Sequence, residues 1–314
     1  MINAIYLVLG AAFIFILAYR YYGAFIAARV LALDDSRRTP AHRLKDGRDF
    51  VPTNKFIVFG HHFAAIAGAG PLIGPVLAAQ FGFAPGFFWI LAGAVLAGAV
   101  HDLVILFASL RHNGTSLAEI ARAEVSQLTG FIAALAKLFI IVIALAGFAI
   151  VVVAALQNNV WGTFSIAFTI PAAILIGLYI HYLRPGKVFE ASIIGFVLVV
   201  AGVLLGPYVR ESGLATWFMF SETQIKLLLP AYGFIASVLP VWLLLCPRDY
   251  LSSFLKIGMI LLLAAGVIFL APNIQMPAVT PFIHGGGPNV NGPLWPFLFI
   301  TIACGAISGF HSLI

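Results

Sequence analysis

Four polar side chains stand out because they lie within stretches of apolar sequence. His61 and His62 follow the segment "NKFIVFG", and His101 and Asp102 follow "LAGAVLAGAV". A carboxylate inside a bilayer costs about 2.5–3.5 kcal/mol on insertion scales, so it normally faces a cavity or a partner. Histidine changes its charge near neutral pH and can relay a proton. The four residues therefore predict a site for proton or cation coupling.

Each of these residues also has a plainer interpretation. His61 and His62 can anchor a helix at the membrane interface, and Asp102 can make a structural hydrogen bond to a neighbouring helix. Adjacent histidines point about 100° apart on a helix, so a metal site at His61 and His62 is disfavoured. We expect no metal or other cofactor, with H⁺ or Na⁺ as the coupling ion.

The stretch "AIAGAGPLIGPVLAAQ", residues 65–80, concentrates glycine and proline inside an apolar segment. In lipid an interrupted helix survives only beside protein or a water-filled cavity. We expect one half-helix to end near Ala69, with carbonyls free for a cation. A second should start near Val76, with N–H groups free for a carboxylate. The alternative is a kinked helix with small residues for close packing. The predicted substrate-binding residues here are Gly68, Gly70, Pro71, Gly74 and Pro75.

A second interrupted segment is "KLLLPAYGFIASVLPVWLLLC", residues 226–246. It adds Gly233 and Pro240 to the predicted substrate site. Two broken helices of opposite direction, separated by four intact spans, are typical of an inverted repeat of five helices. The predicted architecture is therefore part of a five-plus-five helix repeat with broken helices, preceded by one extra span. Only three spans of the second repeat are visible, so we expect the chain to be truncated at its C-terminal end.

Two further segments are candidates for gating. Arg248 and Asp249 lie in "CPRDYLSSFLK", where they can pair with each other or with the first basic loop. An ordinary interfacial ion pair is the alternative interpretation. The loop 272–293, rich in proline and glycine, can fold back as a lid or remain a plain external loop. Its predicted hinge is the glycine triplet Gly285, Gly286 and Gly287.

The composition explains why these residues are read as intramembrane groups. The 314 residues are 62% hydrophobic and 9% charged, with a mean hydropathy of +1.07. A soluble domain carries about 25% charged residues. At about 20 apolar residues per crossing, we expect an all-α polytopic membrane protein of about nine spans in one transmembrane domain, 1–314. The predicted limits are 2–20, 57–82, 86–110, 131–156, 163–183, 189–208, 226–246, 251–271 and 294–314.

The positive charge is a topology signal rather than a sign of nucleic-acid binding. The net charge is +6, and the basic residues concentrate in alternate connections, most densely in the tract 34–56. Lysine and arginine mark the cytoplasmic side. We therefore expect 34–56 to be a cytoplasmic basic loop, 272–293 to be external, and the N-terminus to lie outside. Cys246 and Cys304 lie in apolar sequence and are expected to be inert.

The sequence resembles the carbon starvation protein (CstA) family of bacteria and archaea. The segments that carry the resemblance are "DGRDFVPTNKFIVFGHHFAAIAGAGPLIGPVLAAQ", "GAVHD", "CPRDYLSSFLK" and "MPAVTPFIHGGGPNVNGPLWPFLFITIACGAISGFHSL". The resemblance implies an inner-membrane peptide transporter, and some relatives take up pyruvate with protons. It also implies kinship with the amino acid–polycation–organocation transporters, which have a five-plus-five inverted repeat. No functional residues are carried over from the family.

The predicted function is secondary active transport of short peptides during carbon starvation, coupled to protons or another cation. The alternative is a pyruvate/proton symporter, and a membrane sensor or channel is a second alternative. An intramembrane enzyme is disfavoured, because the sequence has neither His-Glu-x-x-His nor paired aspartates on facing spans. The expected partners are a small carboxylate-bearing solute and the lipid bilayer. The oligomeric state stays open.

Overall fold

The computed structural model describes residues 2–47, 50–307 and Leu313. Helices dominate these residues, and the only β-type pairing among them is an isolated bridge between Asn3 and Asn273. The predicted all-α class is therefore confirmed.

Seven helical stretches within the described ranges are long and apolar enough to cross a membrane, which agrees with a multi-pass membrane protein. They are Ala4–Val30, Lys55–Phe81, Phe83–Arg111, Gln127–Leu156, Val160–Leu183, Val188–Glu211 and Leu245–Leu270.

Several of these stretches contain more than one helix. In chain order the α-helices are α1 (Ala4–Leu17), α2 (Pro40–Arg43), α3 (Lys55–Ile66), α4 (Ala69–Ala78), α5 (Phe83–Gly93), α6 (Ala99–Arg111), α7 (Leu117–Glu124), α8 (Gln127–Leu156), α9 (Val160–Leu178), α10 (Val188–Glu211), α11 (Ala215–Phe218), α12 (Glu222–Val238), α13 (Leu245–Leu270), α14 (Leu294–Thr301) and α15 (Ala303–Ala306). Single π-helical turns are Ala18–Gly23, Ile26–Val30, Ala94–Gly98 and Tyr179–Leu183, and 3₁₀ turns are Ala79–Phe81 and Pro281–His284.

Two predicted spans contain shorter helices than expected. In place of 226–246 the structure has α12, which has 17 residues and ends at Val238. It ends there because Leu239 precedes Pro240 and adopts an extended conformation, φ −70° and ψ 150°, as residues before proline prefer. The predicted span 294–314 contains α14 and α15, and most residues after Ile307 lie outside the described part. The count of nine spans and the inverted repeat stay predictions.

The interruption in residues 65–80 lies at Ala67–Gly68, earlier than expected. The helix α3 ends at Ile66, and Gly68 is extended, with φ −82° and ψ −169°. The expected start near Val76 is wrong, because α4 already begins at Ala69. Pro71 lies in the first turn of α4, where a missing N–H leaves no intrahelical bond unmade. Pro75 lies inside α4.

The chain divides into two compact units. The first contains Met1–Leu44, Ala67–Ile141 and Ile260–Ile314, and the second contains Lys45–Ile66 and Val142–Met259. In the first unit, Ala78 and Phe81 are buried against Leu298 and Ile302.

Close packing of α9 and α10 forms the core of the second unit. Glycines on α10 allow this approach: a Cβ on Gly202 would lie 2.7 Å from the ring of Phe168, and one on Gly206 would overlap Trp161. Small residues of this kind let membrane helices pack backbone to backbone.

Candidate functional site

In the second unit, α3 packs closely against the first turns of α13. The contact is at Gly60, where an added Cβ would lie 2.5 Å from Cδ2 of Tyr250 and 3.2 Å from Oγ of Ser253. The Tyr250 ring is buried, and its hydroxyl lies 2.6 Å from the hydroxyl of Ser192 on α10. Since α10 holds the ring in place, Gly60 sets the distance between α3 and α13.

This close approach brings His61 to Asp249. Nδ1 of His61 lies 2.9 Å from Oδ2 of Asp249, and both side chains are about one-third exposed, at 37% and 32%. His62 is exposed, as expected for neighbouring histidines that point in different directions. The sequence predicts Arg248 or the first basic loop as the partner of Asp249, and the structure places His61 beside it, because Gly60 brings α3 close enough for His61 to reach this carboxylate. Pairing with the first basic loop, whose Arg48 lies outside the described residues, stays a prediction.

Arg248 makes a different contact. Its guanidinium carbon lies 4.7 Å from the centroid of the Tyr232 ring on α12, which is the geometry of a cation–π interaction. Arg248 and Asp249 thus connect the start of α13 to two different helices. Their role in gating stays a prediction.

Lys256 reaches the end of α3 from the middle of α13. Its Nζ donates a hydrogen bond of 2.8 Å to the backbone carbonyl of Ala64. The last four carbonyls of a helix lack intrahelical donors and carry partial negative charge, and Ala64 is one of these four residues in α3. The end of this half-helix is thus occupied by the Lys256 side chain, and the binding of a cation there stays a prediction.

In the first unit, His101 and Asp102 are neighbours on α6. Nδ1 of His101 lies 3.6 Å from Oδ1 of Asp102, whose side chain is 19% exposed. His61 and His62 belong to the second unit, so a joint site of all four residues stays a prediction. Within the described ranges, the structure places no three His, Cys, Asp or Glu side chains close enough together to hold a metal ion.

The predicted substrate-binding residues of the first unit surround the start of α4. Gly68 is the N-cap of this helix and provides no side-chain acceptor for its first N–H groups. Gly70 and Pro71 follow in the first turn. Gly74 faces α14, where an added Cβ would overlap the carbonyl oxygen of Thr301. Close helix packing therefore accounts for Gly74, and its contact with a substrate stays a prediction.

Gly233 and Pro240, the other two predicted substrate-binding residues, belong to the second unit. Gly233 lies inside α12, and an added Cβ there would meet no atom within 4 Å. Pro240 lies in the turn that follows α12 and precedes α13. The apolar segment is interrupted at 239–244, around Pro240, whereas α12 continues through Gly233.

Within the first unit, the side chain of Gln80, just after α4, holds the predicted lid loop 272–293 by hydrogen bonds. Its side chain is 8% exposed, and its amide nitrogen donates to the carbonyl of Val290 at 2.8 Å. Its carbonyl oxygen accepts from the backbone N–H groups of Asn289 and Val290, at 3.0 Å and 2.9 Å. Gly287 packs directly on this side chain, and an added Cβ would lie 2.5 Å from its nitrogen.

The other two glycines of the triplet form a tight turn. Gly285 and Gly286 adopt φ angles of +107° and +72°, which L side chains rarely adopt. Their N–H groups donate to Phe282 and Asn291 of the same loop, at 2.9 Å and 3.0 Å. A hinge at Gly285–Gly287 stays a prediction.

Three residues with well-defined contacts were absent from the sequence predictions. Lys256 carries the clearest signal of the three, because a lysine within an apolar helix costs about 2.5–3.5 kcal/mol. Tyr232 and Gln80 offered weaker signals. Nothing in the sequence predicts that Gln80 binds a loop some 210 residues away in the chain.

The comparisons with known proteins agree with the resemblance seen in the sequence. The model of the family "Carbon starvation protein CstA" matches residues 3–314. The chain is 52% identical, over 99% of its length, to 52% of a protein named "Peptide transporter CstA" from Bacillus subtilis. It is 54% identical, over its whole length, to 45% of the Escherichia coli protein of the same name.

A relative with a different name matches almost as well. The chain is 50% identical, over its whole length, to 44% of "Pyruvate/proton symporter BtsT" from Escherichia coli. The chain spans about half the length of the curated relatives it matches. No solved structure matches it. Since the family model covers nearly all of the chain and these relatives are at least half identical to it, the chain belongs to the carbon starvation protein CstA family.

Proposed function

We propose that this chain belongs to a secondary active transporter that imports short peptides and couples their uptake to protons. The observation that carries the proposal is the break between α3 and α4, with Lys256 bound to the carbonyl end of α3. Broken helices of this kind provide transporters with polar groups at mid-membrane depth. The names of the relatives support the solute class, and the pyruvate/proton symporter supports the proton as coupling ion.

The solute carboxylate binds at the start of α4. A helix N-terminus carries partial positive charge and presents N–H groups that no preceding residue satisfies. Gly68 supports this role because it leaves the first turn without a side-chain cap. Gly70 adds a second residue without a side chain, so a solute can approach the backbone. Both peptides and pyruvate carry the carboxylate that this site requires.

Two histidine–carboxylate pairs are the candidates for proton handling. His61 with Asp249 lies next to the end of α3, and His101 with Asp102 lies on α6. A histidine beside a carboxylate can take up a proton near neutral pH and pass it on. Asp102 is the less exposed of the two carboxylates, at 19%.

The placement of basic residues supports an orientation in the inner membrane of a prokaryotic cell. Arg37, Arg38 and Arg43 lie in the first connection, which would face the cytoplasm. The N-terminus would then lie outside, and the Gln80-anchored loop would lie on the outer side.

Uptake into proteoliposomes tests the proposal. The full-length protein should accumulate a labelled dipeptide in a saturable manner when the pH is lower outside, and the uptake should stop when an ionophore collapses the gradient. Accumulation of pyruvate alone would favour the alternative substrate. Flux that does not saturate would indicate a channel. If neither solute is transported, the result would contradict transport and favour a sensor.

A further inference from the structure

We infer that Lys256 is the proton-carrying coupling residue, and that its ammonium group occupies the cation position at the carbonyl end of α3. The inference rests on the proposed function and deepens it, because it names the coupling ion and the group that binds it. The coupling ion is a proton carried on Nζ.

The position of Lys256 follows from helix geometry. Lys256 comes seven residues after Asp249 on α13, which is about two turns, so both side chains lie on one face. Ala64 comes three residues after His61 on α3, again on one face. The two helices are thus joined at two levels: His61 lies 2.9 Å from Asp249, and Lys256 lies 2.8 Å from the carbonyl oxygen of Ala64.

The protonation state of Lys256 decides whether its contact with the Ala64 carbonyl persists. An ammonium group donates a charge-assisted hydrogen bond and is attracted by the partial negative charge at the end of a helix. A neutral amine keeps a donor but loses the charge. The step is a simple proton transfer: the neutral amine gains H⁺ from one aqueous phase, and the ammonium group later releases it to the other. The end of α3, next to the Ala67–Gly68 break, is held when Lys256 is protonated and is released when Lys256 is neutral.

Charged and titratable groups face Lys256 from the three helices α3, α12 and α13. On its own helix the charged groups facing Lys256 are Asp249 and Arg248, about two turns towards the N-terminus. On α3 the facing titratable group is His61, and on α12 it is Tyr232 beneath Arg248. Asp249, which pairs with His61, lies seven residues before Lys256, about 10 Å along α13.

Two variants separate coupling from a structural role. Lys256→Gln keeps a donor without a charge, and Lys256→Arg keeps a charge that does not titrate at any pH of interest. Lys226→Gln is the matched control, because Lys226 is exposed on α12 and pairs with Glu222 one turn away. The protein is reconstituted with the membrane potential clamped, and both gradient-driven accumulation and solute counterflow at equal pH are measured.

Proton coupling sets the expected magnitude. A gradient of about one pH unit should concentrate a solute that moves with one proton about tenfold, since each unit is a tenfold ratio of protons. The wild type and Lys226→Gln should reach this ratio. Both Lys256 variants should fall to a ratio of about one and retain counterflow. Gradient-driven accumulation by either Lys256 variant would overturn the inference, and rescue by Lys256→Arg would show that Lys256 is only a structural donor.

Hydrogen exchange of peptides covering residues 58–70 tests the same inference without a solute. After correction for intrinsic exchange rates, protection of the end of α3 should fall in the wild type as the pH rises, and it should be independent of pH in Lys256→Arg. An equal pH dependence in both would overturn the inference. If the wild type accumulates neither solute but shows the expected exchange, the proposed function fails while the titration of Lys256 stands.

Discussion

Replacing Gly60 by alanine should separate α3 from α13 and break both contacts that join them. The new Cβ would lie 2.5 Å from Cδ2 of Tyr250, whereas non-bonded carbons prefer about 3.5–4.0 Å. The ring cannot turn aside easily, because it is buried and its hydroxyl lies 2.6 Å from that of Ser192. The helices must therefore move apart by about 1 Å.

A shift of this size is larger than the contacts can tolerate. It would take Nζ of Lys256 from 2.8 Å to beyond hydrogen-bond distance of the Ala64 carbonyl. Overpacking of a close contact typically costs about 1–3 kcal/mol, and alanine in a helix recovers about 0.5–1 kcal/mol relative to glycine. We expect a net loss of about 1–2 kcal/mol in the free energy of unfolding.

The assay compares thermal unfolding in detergent with proton-driven uptake. Gly258→Ala is the matched control, because an added Cβ there would meet no atom within 4 Å. This control should unfold at the same or a higher temperature, whereas Gly60→Ala should unfold at a lower one and lose uptake. A Gly60→Ala protein as stable and as active as the control would refute the close packing of α3 on α13.

Three further predictions concern other parts of the molecule. Replacing Asp102 by asparagine should preserve solute binding but uncouple uptake from the pH gradient, because the amide cannot ionise; unchanged proton-coupled uptake would remove Asp102 from the mechanism. The pKa of His112 is raised because the ring donates to the carbonyl of Ala108 and to Glu124. The stabilising contribution of His112 is therefore complete below its ordinary pKa of about 6.5. This contribution is lost as the pH rises through the raised pKa. Hydrogen exchange of residues 112–125 should accordingly increase with pH beyond the intrinsic rate, and Glu124→Gln should weaken this dependence; identical profiles would contradict it. Replacing Gln80 by alanine removes three hydrogen bonds to Asn289 and Val290, so proteolysis of the 285–293 loop should accelerate, whereas Gln275→Ala, which loses only a bond of 3.4 Å to Asn273, should match the wild type.

The helical class and the break in residues 65–80 could be predicted from composition and from the glycine–proline cluster. The exact position of the break, at Ala67–Gly68, could not be predicted. A proline interrupts a helix only where its N–H is needed, and Pro71 lies in a first turn where it is not. Packing of Gly74 against Thr301 then keeps this part of the segment helical, and such tertiary packing is not visible in a local pattern.

The sequence also could not predict which groups the polar side chains contact. His61 and Asp249 were both identified as candidates, yet 188 positions separate them in the chain numbering. Their contact depends on the approach of two helices at Gly60. Lys256 lies within an apolar helix, which marks it as an intramembrane group, but its hydrogen bond to Ala64 is a tertiary contact that no local pattern shows.

A cryo-EM map of the full-length protein in lipid tests the broken helix and the Lys256 contact most directly. We predict that the map will show α3 ending at Ile66, an extended Gly68, and the ammonium group of Lys256 on the carbonyl of Ala64. A continuous helix through residues 64–72, with Lys256 directed elsewhere, would contradict the account.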